Sequence, residues 1–79
     1  MNHIKALAEI VNTIRRHNSL DKVNVSLNSD FREDLGLDSF DLAELTVMIE
    51  DKFGVDIFET GIVRTIGDAL VKINQSVTE

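Results

Sequence analysis

Apolar residues return at three- and four-residue steps in three separated stretches of this proline-free chain, which directs it toward packed helices. Ile4, Leu7, Ala8, Val11 and Ile14 form the first stripe and predict a helix over residues 3–17. Arg15, Arg16 and His17 close that helix favourably against its dipole. Leu42, Leu45, Ile49 and Phe53 form a second stripe on a helix expected from Ser39 to Phe53, with Gly54 as its stop. A last helix is expected to begin near Thr65, capped by that hydroxyl while Asp68 reaches back. Ile66, Ala69, Leu70 and Ile73 supply its apolar face, and residues 75–79 are expected to fray.

The segments between these helices carry less pattern. Residues 18–37 are polar and turn-rich, with Leu20, Val23, Val25, Leu27 and Phe31 spaced along them as apolar pins. Loops this long are uncommon without a function. Val55, Ile57, Phe58, Ile62 and Val63 make an apolar connection in which residues 58–63 form either a brief helical turn or an irregular segment, two alternatives the pattern leaves open. The fold class that follows is all-α: a small bundle of three main helices with a short or irregular third segment, forming one domain over residues 1–79.

Charge is distributed unevenly. Of the net −6, residues 1–29 carry +2, residues 30–60 carry −8 and residues 61–79 carry none. A strongly acidic middle disfavours nucleic acid or an anionic membrane as its partner and favours a basic protein surface. The composition is 43% hydrophobic and 28% charged, with no run of about 20 apolar residues, so a soluble monomer is expected. The apolar residues near the N-terminus are interrupted by Lys5, Glu9 and Asn12, unlike a secretory signal, which sets the expectation of a cytoplasmic location.

Catalysis by the chain itself has little support. With no cysteine there is no thiolate nucleophile or thiolate metal site. His3 and His17 would stand about 21 Å apart along a continuous helix, too far to share a metal or a proton, and both are expected to face solvent. The acidic run from Asp30 to Asp41 fails the register of a calcium loop, which needs glycine at its sixth position; Leu35 stands there. No metal site and no enzymatic activity are therefore expected. On the second helix, Phe40, Glu44, Val47 and Asp51 lie opposite the apolar stripe, so Phe40 and Val47 are candidates for a docking face.

The densest constellation is Asp34-Leu35-Gly36-Leu37-Asp38-Ser39-Phe40-Asp41, continuing through Leu42-Ala43-Glu44-Leu45. Gly36 permits an unusual turn, and either Asp38 or Ser39 can cap the helix that follows. This segment resembles the attachment motif of acyl carrier proteins. The resemblance continues through Glu50-Asp51-Lys52-Phe53-Gly54-Val55-Asp56-Ile57 and returns at Arg64-Thr65-Ile66-Gly67-Asp68-Ala69.

The resemblance implies that Ser39 receives 4'-phosphopantetheine from coenzyme A through a separate phosphopantetheinyl transferase. The arm's thiol would then hold acyl groups as thioesters in fatty-acid or related lipid or polyketide synthesis. It also implies that Asp38, Asp41, Glu44, Glu50 and Asp51 meet basic patches on acyl-processing enzymes, with Leu37, Phe40, Val47 and Met48 adding apolar contacts. Phe40 in place of the commoner leucine, Lys52 in the acidic helix and a shorter connection after Ile57 depart from the family pattern and point to a specialised carrier. The competing class is an unmodified acidic helical domain that docks to proteins through Phe40, Val47 and Met48.

Overall fold

The long segment between the first two helices is held from the first of them by two polar side chains. The computed structural model describes residues 3–58 and 61–77 and contains α1 (His3–His17), α2 (Ser39–Phe53) and α3 (Ile66–Val77). Asn12 on α1 donates through Nδ2 to the carbonyl of Val23 at 3.1 Å and accepts the Val23 N–H at 2.9 Å. Its amide thus pairs with one loop residue as a neighbouring strand would, satisfying a backbone donor and acceptor that have no ladder. Arg15, one turn on, donates to the carbonyls of Asp21 at 3.0 Å and Leu35 at 2.5 Å, tying both ends of the loop to one helix.

Apolar burial follows the predicted stripes with one addition. Leu7, Val11 and Ile14 of α1, Leu45 and Ile49 of α2, and Ile66, Ala69 and Ile73 of α3 are fully buried. Ile10 joins them, because α1 packs against both other helices and needs a wider apolar face than one stripe. Ile4, Leu42, Phe53 and Leu70 are only partly buried at its edge, and Ala8, also expected in the first stripe, is partly exposed and lines a surface groove. The loop contributes Phe31, Leu35 and Leu37, and the connection contributes Val55, Ile57 and Val63, so irregular segments help the helices close the core. Val23 and Val25 pack partly against it, whereas Leu20 and Leu27 stay largely exposed.

The helix ends account for their unpaired backbone groups. At α3, Thr65 Oγ1 accepts the Asp68 N–H at 3.1 Å, and Asp68 Oδ2 accepts the N–H groups of Arg64 and Thr65. The next two donors, Ile66 and Gly67, go to the carbonyls of Ser29 and Leu27 at 3.0 and 2.8 Å. Together with the Phe31 N–H on the Arg64 carbonyl, these bonds join the loop to the start of α3. Gly54 ends α2 in the left-handed conformation, φ 72°, with its N–H on the Glu50 carbonyl.

The connection is irregular where it is described: 58 and 61–64 form no helix, and Glu59 and Thr60 lie outside the described residues. One expectation changes. The helix at the C-terminal side runs on through Val77 instead of fraying from residue 75, with Thr78 and Glu79 outside the described residues. His3 is partly exposed, with its Nδ1 2.9 Å from Asn74 Oδ1 in an exposed contact and its ring meeting that of Phe53 edge-on at 5.3 Å. No helix among the described residues is long and apolar enough to cross a membrane.

Candidate functional site

The start of α2 is built as a reciprocal cap. Asp38, in extended conformation, accepts the Asp41 N–H on Oδ1 at 2.9 Å, while Asp41 Oδ2 accepts the Asp38 N–H at 3.1 Å. Asn18, just beyond α1, donates to the other Asp41 oxygen at 2.9 Å. Asp38 therefore takes the capping role, and Ser39 becomes the first helical residue with its side chain free of that duty.

Ser39 is exposed, and Arg32 Nη2 donates to its Oγ at 3.1 Å. Arg32 is delivered by a tight turn in which Asp30 Oδ1 accepts the N–H groups of Arg32 and Glu33. Gly36 closes that turn at φ 71°, a conformation costly for a residue with Cβ, and its N–H reaches the Arg32 carbonyl. Leu37 then bonds the Phe31 carbonyl, which brings the chain round to Asp38. Beside Ser39 lies an open groove of about 290 Å³ lined by Arg32, Ser39, Leu42, Ala43, Thr46 and Phe58.

The residues expected on a docking face separate into two sets. Phe40 at 87% exposure and Val47 at 64% stand clear of the core, and Asp38, Glu50 and Asp51 are exposed. Glu44 is half-buried and pairs with His17 at 3.1 Å. Met48 packs partly against the core. Leu37 and Asp41 are corrections: Leu37 is 3% exposed and belongs to the core, and Asp41 is 7% exposed with its oxygens committed to the cap and to Asn18. A partner meeting this surface finds neither side chain. No motif in the sequence singles out Arg32, although it is one of only two cations in residues 30–60.

Among the described residues, three carboxyl groups are held below the ordinary aspartate range. For Asp41 the Asn18 amide is the main cause; for Asp30 it is the N–H of Glu33, then that of Arg32; for Asp68 it is the N–H of Arg64, then that of Thr65. A depressed folded value means the unfolded chain takes up protons first. These groups contribute stability that is fully present above the ordinary carboxyl range, near pH 4, and is lost as pH falls through their folded values. Urea midpoints measured downward from pH 5 should therefore drop below about pH 4. Replacing Asn18 by Ala should bring the Asp41 carboxyl back toward its ordinary value in an NMR titration.

Among the described residues no group of His, Asp and Glu is placed to hold a metal ion. An exposed hydroxyl on a first helical residue, a guanidinium touching it and an open groove beside it suit a covalently attached anionic group. A family model described as a phosphopantetheine attachment site matches residues 7–68, a span that includes the whole of this site.

Proposed function

Because the chain belongs to the phosphopantetheine-attachment family and so carries 4'-phosphopantetheine covalently, we propose that Ser39 is the residue of attachment and that the protein is a noncatalytic acyl carrier. The observation that carries the assignment is the Ser39 hydroxyl, exposed on the first turn of α2 and spared from capping by Asp38. Other serines in the matched span are less suited. Ser26 and Ser29 contact each other at 3.3 Å and Ser29 is buried, while Ser19 sits in a left-handed turn after α1. Ser39 alone among these four stands at a helix N-terminus, where the dipole favours an attached phosphate by about 0.3–1 kcal/mol.

When bound, the group supplies the thiol that this cysteine-free chain lacks, for holding acyl groups as thioesters. Arg32 and the first turn of α2 would hold its phosphate end. Fatty-acid or related lipid or polyketide synthesis is the proposed setting, in the cytoplasm, with Phe40 and Lys52 favouring a specialised pathway. Incubation with coenzyme A, magnesium and a broad-specificity phosphopantetheinyl transferase should add one phosphopantetheinyl group. Fragment mass mapping should place it on the peptide containing Ser39; addition elsewhere, or none, would overturn the assignment.

The proposed partners are the transferase and basic-surfaced acyl-processing enzymes, which meet Phe40 and Val47 within the exposed carboxylates Asp38, Glu50 and Asp51. A shuttle has to leave each enzyme, which suits a small interface steered by charge. Association rates with basic acyl-processing enzymes should fall about tenfold or more between low and physiological salt, measured by stopped flow, while dissociation changes less. An association rate indifferent to salt would remove charge steering from this account.

A further inference from the structure

We propose that Arg32 is a clasp for the arm's phosphate, holding the proximal end of the bound group against α2 until a partner enzyme displaces it. This rests on the reading that Ser39 carries the arm. The guanidinium is already 3.1 Å from the oxygen through which the group would be joined. Toward a neutral hydroxyl that contact is a single hydrogen bond between exposed groups. Toward a phosphodiester on the same oxygen, a planar fork of N–H donors meets the anionic non-bridging oxygens two covalent bonds from Oγ, and a hydrogen bond to them is charge-assisted.

The surrounding charge gives this contact its significance. Residues 30–60 carry −8, so an added phosphate anion is unfavourable there unless a cation lies beside it. That segment holds two cations, Arg32 and Lys52; Arg64, which lines the adjoining hollow from outside the segment, has its Nε 3.9 Å from Asp30 Oδ2. Lys52 is thirteen residues along from Ser39 on the same helix, about 20 Å away, beyond effective reach at physiological ionic strength. The Arg32 backbone is fixed: its N–H is held by Asp30 Oδ1 and its carbonyl by the Gly36 N–H, so the exposed side chain starts from a closed turn. It lines both the groove beside Ser39 and the neighbouring hollow formed with Asp30, Glu33, Ile62, Val63 and Arg64. A phosphate gripped there starts the arm between those two openings.

The grip is weak by design of its setting. Exposed ion pairs shift populations by about two- to fivefold, enough to bias the arm's resting position and little enough for docking to release it.

The test compares the loaded native protein with Arg32→Gln, Arg32→Lys and the distant control Lys52→Gln, after intact mass confirms that each carries the arm. The readouts are the phosphorus NMR shift and the relaxation of the two pantetheine amides. The native phosphorus resonance should move in Arg32→Gln and stay in place in Lys52→Gln, with Arg32→Lys between. The proximal amide should be more mobile in Arg32→Gln by about two- to fivefold in its free population, and about 1 M salt should bring the native spectrum toward that variant. Identical phosphorus and amide signals in loaded native and Arg32→Gln proteins would overturn the clasp alone. A native chain that a competent transferase leaves bare would overturn both the clasp and the assignment of Ser39.

Discussion

Ser39→Ala should leave a folded protein that accepts no phosphopantetheine at all. The loss is complete because no other side chain offers an oxygen in the same place: Asp38 is spent on the cap, and Phe40 has none to offer. Stability should change by about 0.5 kcal/mol or less, since Ser39 is exposed, does not cap α2 and makes only the exposed contact from Arg32. Intact mass after incubation with coenzyme A and transferase reads the first quantity, and thermal unfolding reads the second. A serine that anchored the helix would show the opposite pairing, with modification lost because the fold is lost. Asp38→Ala supplies the contrast: removal of the true cap should cost about 1 kcal/mol while leaving the Ser39 hydroxyl in the sequence.

Phe31→Ala should damage the protein most in the other direction. The ring is 1% exposed, the largest of the fully buried side chains, and the loop that carries it also carries Arg32. Truncating a buried Phe costs about 3–5 kcal/mol, counting both lost burial and the cavity left behind. A domain of this size has about 4–12 kcal/mol in total, so the variant should lose about a quarter or more of its stability. The site should suffer before the molecule unfolds. Phe31 bonds through its N–H to the Arg64 carbonyl and through its own carbonyl to the Leu37 N–H, so the pin positions both the turn bearing Arg32 and the approach to Asp38. Urea denaturation gives the stability change, and faster amide exchange at residues 31–38 gives the local loosening. A loss below about 1 kcal/mol would mean that the loop is held chiefly by Asn12 and Arg15.

The helices were legible in the chain because their ends are marked by chemistry as well as by period. Asp38, Gly54 and Thr65 stop or start an element through their own backbone preferences, so α2 and the start of α3 fall where the caps put them. Ile10 was missed because a single stripe describes a helix with one neighbour, and α1 has two. The site was half legible. Asp38 and Ser39 were both eligible as the cap, and that choice decides which residue stands three positions later with its carboxylate turned back; once Asp38 caps, Asp41 is withdrawn from the surface. Leu37 was misplaced for a different reason. It lies in irregular chain just after Gly36, where no periodicity tells which way a side chain points, and the bond to Phe31 turns it inward. Arg32 was hidden because its contact spans seven residues across a turn whose shape depends on Asp30 and Gly36 together.

Phe40 and Val47 stand seven residues apart on one rigid helix, so their rings and methyls are separated by about 10 Å along its axis and lie within about 20° of the same direction. One knob is broad and the other narrow, so the pair has a head and a tail. An enzyme with two hollows of matching width can seat this helix in one polarity only. Reversal would press the phenyl ring into the shallow hollow and leave the deep one unfilled. Since Ser39 sits immediately beside the broad knob, docking through the proposed face would also aim the proposed attachment oxygen toward one chosen side of the enzyme, as notches on a key decide which way its blade enters.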